Sequence, residues 1–446
     1  MANTLPVVAI VGRPNVGKSS FFNRVTGMRH SITGDEHGLT RDRICAEAEW
    51  SGKRFLLIDT GGIDDGISDG IFPLMREQAI IAMDMADLIL FVVDGKDGVT
   101  SQDLEVAELL RRTLKKVLLI VNKVDKPKTT DFYDFYELGF GDPLPVSSAN
   151  KTGVGDALDA ILAGLSEAGF ATGVEDEGES TIKLAIIGKP NVGKSSFVNA
   201  VVGENRVIVS AEPGTTRDSV DTPFTYEGEE FVLIDTAGIR RKSRVKENIE
   251  RYSVLRAIAA IERSDVCLVM IDAEEGVTEQ DKKIAGLAHD SGKGVVLAVN
   301  KWDLVEKDGK TMEAHRKKMR IELPFLSYAP DVFISVKDGQ RLGKILETVS
   351  AVNSNCTLRI PTPQLNSLIN DAVAMKPPPT DKGKSLKIYY VSQVGVKPPL
   401  FSFRINKRDL LHFSYSRYLE NRIRDAYGFA GTPISFVFRE KGENDE

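Results

Sequence analysis

Two stretches of this chain are built to hold phosphate. "GRPNVGKS" (Gly12–Ser19) and "GKPNVGKS" (Gly188–Ser195) both fit the pattern G-x-x-x-x-G-K-[ST]. Each follows an apolar run and precedes a segment with helical spacing, which is the setting the pattern needs. Glycines at 12, 17, 188 and 193 let backbone N–H groups turn inward around an anion, and the helix N-terminus adds partial positive charge. Asn15, Val16 and Ser20 complete the first loop, and Asn191, Val192 and Ser196 the second. Lys18 and Lys194 are expected to reach the β- and γ-phosphates, and the hydroxyls of Ser19 and Ser195 to bind Mg²⁺. One match can arise by chance; two at equivalent places in a repeat do not.

The base is chosen elsewhere. "NKVD" (Asn122, Lys123, Asp125) and "NKWD" (Asn300, Lys301, Asp303) each follow an apolar strand-like run. A carboxylate there can accept two hydrogen bonds, from the N1–H and 2-amino group of guanine. Adenine lacks that donor pair, so a site built on it discriminates by orders of magnitude. Both copies follow a phosphate loop at nearly equal distance, 104 residues from Lys18 to Asn122 and 106 from Lys194 to Asn300. "SSAN" (147–150), through Ser148 and Ala149, is expected to give a backbone N–H to the guanine carbonyl, and "ISVK" (334–337), through Ser335 and Val336, to do the same in the second copy.

Asp59 and Asp235, in "DTGG" and "DTAG", are placed to hold Mg²⁺ through water, and Gly62 and Gly238 to turn an N–H to the γ-phosphate. Thr40 and Thr216 stand 21 residues past Ser19 and Ser195. Their hydroxyls are expected to join Mg²⁺ only while the γ-phosphate is present, the loaded state of a GTPase switch. The cofactors expected from these residues are GTP or GDP and Mg²⁺.

The elements that must position these residues come as a duplication. Shifted by 176 residues, "VVAIVGRPNVGKSSFFNRVTG" lies over "KLAIIGKPNVGKSSFVNAVVG", "GLTRD" over "GTTRD" and "FLLIDTGGI" over "FVLIDTAGI". "DLILFVVDGKDGVTSQD" and "VLLIVNKVD" likewise match "DVCLVMIDAEEGVTEQD" and "VVLAVNKWD". Short apolar runs alternating with helical patterns predict a doubly wound α/β domain with a mostly parallel sheet, twice, with ligand at the C-terminal ends of the strands. The expected domains are 1–168 and 182–352, joined by an acidic flexible linker at 169–181, then 353–439 and an acidic tail at 440–446. In 353–439 the order α-β-β-α-β predicts a small α+β module.

Composition bounds the class. The chain has 446 residues, 42% hydrophobic and 27% charged, ordinary for a globular protein of several domains. Three isolated cysteines (Cys45, Cys267, Cys356) exclude a disulfide framework or a CxxC zinc site and suit a reducing cytoplasm. The N-terminus shows no secretory signal, and no apolar run approaches the about 20 residues of a membrane span. Net charge is −6, but residues 351–446 hold 14 Lys and Arg against 9 Asp and Glu, leaving 44 against 55 in the first 350. A basic end on an acidic body suggests one nucleic-acid-facing surface; an unevenly charged solvated surface reads equally well.

Two such domains followed by "TPQLN", "KIYYVSQV", "FRIN" and "YLENRIR" resemble the Der (EngA) family, over essentially the whole chain. The resemblance implies two tandem P-loop GTPase domains and a KH-like domain, and a monomeric cytoplasmic GTP hydrolase. It implies further that the protein binds the large (50S) ribosomal subunit and its rRNA and assists that subunit's assembly. The glutamine that orients water in Ras-like switches is replaced here by Ile63 and Ile239. The resemblance implies that K⁺ stands in for an arginine finger, held by Asn15 and Asn191; otherwise these asparagines only stabilise the loop turn. "RRKSRVKENIERYS" (240–253), against the acidic "DDGISDG" (64–70), either contacts RNA or moves against the third domain, or is a solvated helix start.

In the third domain "GFAG" (428–431) reads as a turn rather than a nucleic-acid grip. Lys382, Lys384, Lys387, Lys397, Arg404, Lys407 and Arg408 are candidate phosphate contacts. A GTP-sensing protein in which only one domain hydrolyses remains the alternative, and the paired N-K-x-D motifs count against an ATPase or kinase.

Overall fold

The computed structural model describes residues 5–27, 45–61, 76, 79–80, 82–125, 133–170, 181–203, 207–209, 221–235, 249–306, 308–381 and 384–440. They group into two compact units, residues 1–179 with 248–259 and residues 180–247 with 260–446. Residues 171–180 of the expected linker (169–181), Thr40, Thr216, Gly62, Gly238, Ile63, Ile239, the segments 64–70 and 240–248, Lys382 and the tail beyond 440 lie outside the described residues.

The first unit contains β1 (Val7–Val11), α1 (Lys18–Thr26), β2 (Cys45–Trp50), β3 (Lys53–Asp59), β4 (Leu88–Asp94), α2 (Ser101–Leu110), β5 (Lys116–Asn122), β6 (Leu144–Pro145) and α3 (Val154–Glu167). Its sheet runs β2-β3-β1-β4-β5-β6, parallel throughout except where β2 meets β3. "VVAIV" and "LILFVVD" are wholly buried because helices cover both faces of a parallel sheet. From β1 the order runs one way to β3 and the other way to β4, so a crevice opens where β1 ends and the phosphate loop begins. Helix α2 starts on a capping box, Thr100 with Asp103.

The second repeat contains, in chain order, β7 (Ile182–Ile187), α4 (Lys194–Val202), β8 (Val207–Val209), β9 (Thr222–Tyr226), β10 (Glu229–Ile234), α5 (Ile249–Arg263, of which 249–259 group with the first unit) and β11 (Val266–Asp272). It continues through α6 (Glu279–Asp290), β12 (Gly294–Asn300), α7 (Thr311–Glu322), β13 (Asp331–Phe333) and α8 (Leu342–Cys356). Its sheet, β13-β12-β11-β7-β10-β9-β8, repeats the first topology with one more edge strand. Helix α6 repeats the capping box with Thr278 and Asp281. Helix α8 runs on to Cys356, so the boundary expected at 352 falls inside a helix. Val352 and Cys356 are both buried in the core of this repeat, and that burial continues the helix.

The third module keeps the expected order: α9 (Thr362–Met375), a small hairpin β14 (Thr380–Asp381) and β15 (Lys384–Ser385), β16 (Ile388–Gly395), β17 (Leu400–Ile405), α10 (Phe413–Tyr427) and β18 (Ser435–Glu440). The hairpin is an addition to the α-β-β-α-β order read from the sequence; strands of two residues leave no periodicity to read. Phe401, Phe403, Leu365, Ile369, Leu419 and Ile423 form a core of its own. The "GFAG" turn after α10 docks this module onto the second repeat. Gly431 N–H donates to Tyr328 O at 2.8 Å, and Gly431 O accepts from Val295 N–H at 2.7 Å. Gly431 has φ 77°, and a Cβ there would meet Val352 Cγ2 at 2.2 Å, so only glycine fits. Lys397, a candidate phosphate contact, is ion-paired with Asp265 at 3.0 Å, because the β16–β17 turn lies against the start of β11.

Candidate functional site

In both repeats the phosphate loop closes on its own lysine. Lys18 Nζ donates to the carbonyls of Gly12 and Arg13 at 2.7 and 2.9 Å. Lys194 Nζ donates to those of Gly188 and Lys189, both at 2.6 Å. Burial lowers the Lys194 pKa to about 8, against a raising influence from Asp281. The loops are also pinned from outside by a cation that sequence reasoning passed over. Arg13 reaches Asp97 at 2.7 Å and Asp103 at 3.5 Å; Lys189 reaches Glu275 at 2.5 Å and Asp281 at 3.3 Å. Both cations sit directly after the first glycine of the loop, and that shared place was the available signal. Asn15 and Asn191 are exposed, with left-handed backbones at φ 66° and 65°. Asparagine tolerates that conformation better than most residues, so the turn by itself accounts for the residue type, and the amide side chains remain at the surface.

The N-K-x-D asparagines tie the phosphate loop to the base side. Asn122 Nδ2 donates to Val16 O at 2.9 Å, and its Oδ1 accepts from Ser148 N–H at 3.1 Å and from Ser148 Oγ at 2.9 Å. Asn300 Nδ2 donates to Val192 O at 2.8 Å, and its Oδ1 accepts from Val336 N–H at 3.1 Å. The second glycine of each loop makes room: a Cβ on Gly17 or Gly193 would sit 2.3 Å from Asn122 Nδ2 or Asn300 Nδ2. The lysines lock the turn. Lys123 and Lys301, at φ 66° and 63°, pair with Asp94 at 2.6 Å and Asp272 at 2.5 Å. Burial pushes both of those carboxyls up, but the lysines and backbone amides outweigh it and hold them below the usual range.

Asp125 accepts from Ser147 Oγ at 2.9 Å, from Asn150 Nδ2 at 3.0 Å and from Lys96 Nζ at 3.1 Å. Lys96 first, then Ser147, lowers its pKa. Asp303 accepts from Ser335 Oγ at 2.8 Å. Ser335 therefore matches Ser147, and Val336 matches Ser148. The residue equivalent to Ala149 is Lys337, one beyond the pair named from the sequence. A one-residue offset in a loop leaves no trace in hydrophobic pattern; the bridges Ser147–Thr152 and Ser335–Gln340 set it.

At the expected magnesium position of the first repeat, Ser19 Oγ donates to Asp59 Oδ2 at 2.6 Å, and Asp59 Oδ1 accepts from Gly61 N–H at 2.9 Å. A hydroxyl and a carboxylate at that distance are an all-oxygen donor set, which suits a small hard cation. In the second repeat Asp235 stands beyond the strand, at φ 59°, with its N–H donating to Asp221 Oδ1 at 3.0 Å. Ser20 and Ser196 are exposed in the first turn of their helices.

A family model described as 50S ribosome-binding GTPase matches residues 7–123 and again 183–301. A second, described as the C-terminal KH-domain-like region of EngA bacterial GTPase enzymes, matches 359–439. GTPase Der of Alkaliphilus metalliredigens is 56% identical over 441 residues, covering 99% of each chain. GTPase Der of Geobacillus kaustophilus is 57% identical over 440 residues, covering 98% of this chain and 99% of its own. Among solved structures, Era in complex with MgGDPNP and a fragment of 16S ribosomal RNA is 21% identical and covers 59% of this chain and 94% of its own, with a TM-score of 0.32. Among the described residues no helix is long and apolar enough to cross a membrane.

Proposed function

Because the chain belongs to the family of GTPase Der, we propose that it binds and hydrolyses GTP at both repeats and assists maturation of the large ribosomal subunit in the cytoplasm, as a monomer. The observation that carries this reading is the buried asparagine tie. In both repeats one side chain couples the carbonyl of the phosphate loop to the backbone of the base loop. A site that senses the base and the phosphates of one ligand together needs such a coupling.

In this reading Lys18 and Lys194 exchange their loop carbonyls for phosphate oxygens, and Asp125 and Asp303 accept from guanine. Ser19 and Asp59, and Ser195 and Asp235, would hold Mg²⁺, which would supply charge neutralisation at the phosphates. Thr40, Thr216, Gly62 and Gly238 complete the γ-phosphate sensor. Asn15 and Asn191 offer surface amide oxygens to K⁺, so turnover is expected to be faster in K⁺ than in Na⁺ at equal ionic strength; equal rates would remove that role. In this reading the third module, carried on the second repeat by Gly431, presents the RNA-facing surface, for which the excess of 14 Lys and Arg over 9 Asp and Glu in residues 351–446 is the support.

Co-sedimentation with purified large subunits, in GDP and in a GTP analogue, tests the whole. Intact protein is expected to change its association with nucleotide, and Lys18→Ala and Lys194→Ala each to lose part of that change. No nucleotide dependence in any of the three sinks the switch reading. Hydrolysis at one repeat only is a second reading, favoured by the contrast between Asp59, which ends a strand, and Asp235, held at φ 59° by Asp221. Single-turnover hydrolysis in the two lysine variants separates them.

A further inference from the structure

The duplication supplies an internal control: whatever the two base loops share is general, and whatever one has alone is particular to it. In the first loop almost every backbone amide is already engaged. Ser147 N–H donates to Thr152 O at 2.9 Å, Ser148 N–H to Asn122 Oδ1 at 3.1 Å and Asn150 N–H to Ser147 Oγ at 3.2 Å. Among the described residues, the Ala149 N–H has no acceptor, and Ala149 is exposed. The direction of that N–H is set by one side chain. Arg24, on the helix that starts in the phosphate loop, donates from Nε to Ser148 O at 3.0 Å and from its terminal nitrogen to Ala149 O at 3.3 Å. In a trans peptide the C=O and N–H point opposite ways. Drawing the Ser148 carbonyl towards the helix therefore turns the Ala149 N–H away from it.

Among the described residues the second repeat has no such arm. The residue aligned with Arg24 is Ala200. There, among the described residues, the Val336 carbonyl accepts only from Gly339 N–H, at 3.4 Å. Val336 also lacks the hydroxyl with which Ser148 grips Asn122. The two base loops thus share their aspartate, serine and asparagine ties and differ in how firmly the unpaired peptide is held.

We infer that Arg24 is a positioning residue of the first site alone: it aims the Ala149 N–H at the 6-oxygen of guanine and links the phosphate helix to base recognition. The inference rests on the reading of this site as a guanine site. It places the discrimination of the 6-substituent on a rigid peptide in the first repeat and on a looser one in the second.

The test uses the full chain carrying Lys194→Ala, so that binding reports the first site, and titrates GDP and 6-thioguanosine 5′-diphosphate, whose sulfur is a weaker acceptor. Arg24→Ala is expected to weaken GDP by about tenfold, the scale of one charge-assisted hydrogen bond. It is also expected to bring the ratio of the two dissociation constants towards one, with Arg24→Lys intermediate. In the Lys18→Ala chain, where the second site reports, Arg24→Ala is expected to change neither constant, and an unchanged thermal transition of the first unit shows that the variant is folded. Equal weakening of both ligands, leaving the ratio intact, assigns Arg24 to fold support and overturns the inference, as does unchanged GDP affinity. Failure of the guanine reading itself is distinguishable: the parent chain would then bind ADP as tightly as GDP.

Discussion

Deleting the asparagine tie should cost the two repeats different amounts. Asn122→Ala strands three buried partners: the Val16 carbonyl, the Ser148 N–H and the Ser148 hydroxyl. Asn300→Ala strands two, the Val192 carbonyl and the Val336 N–H. At about 1 kcal/mol for each orphaned buried group, the losses are about 3 and about 2 kcal/mol. If the loops must be rebuilt on binding, these convert to about 150-fold and about 30-fold weaker GDP affinity. Titration of a fluorescent GDP measures each site alone, in the Lys194→Ala chain for the first and the Lys18→Ala chain for the second. The isosteric Asn122→Asp is a sharper probe, since it sets a carboxylate oxygen 2.9 Å from the Val16 carbonyl where an N–H donor stood. It should be at least as damaging as alanine. A larger loss at the second site than at the first, or a benign Asn122→Asp, refutes the tie as the element that joins phosphate and base recognition.

Acidity gives a second check. Lys194 has a folded pKa near 8, below the usual lysine value, because burial disfavours its charged form. Phosphate stabilises that charge, so nucleotide binding takes up a proton once the free site has lost it. GDP affinity at the second site should be flat well below pH 8 and fall by about tenfold per unit above it; isothermal titration in buffers of different ionisation enthalpy reads the proton uptake directly. A flat profile from pH 7 to 9 would contradict the lowered pKa. Gly431→Ala, which places a methyl group 2.2 Å from Val352 Cγ2 at φ 77°, should destabilise the docking of the third module on the second repeat by roughly 1–3 kcal/mol in chemical denaturation. An unchanged midpoint would show that the turn is not pinned. Chelation of Mg²⁺ should weaken GTP binding at the first site in the intact chain and leave it unchanged in Asp59→Ala.

Periodicity and motif spacing determined a good deal by themselves. Buried runs such as "LILFVVD" predict parallel strands because both faces must be apolar, and the same runs in the same order twice predict two sheets of one topology. Glycine at 17 and 193, asparagine at 122 and 300 and the Ser19–Asp59 pair are legible because each is demanded by chemistry close to it in the chain or repeated at fixed distance. Local pattern is silent on the groups that meet only when the sheet is wound. Arg24 and Ser148 are 124 residues apart, as Lys397 and Asp265 are 132 apart. No period of 2 or 3.6 links either pair, and nothing near Arg24 in the chain marks it as different from Ala200. Only the packed structure decided which amide of residues 147–150 is left for a ligand, which residue of the second loop is its counterpart, and that "GFAG" serves as a docking turn. Each of those depends on where carbonyls and side chains from distant strands converge.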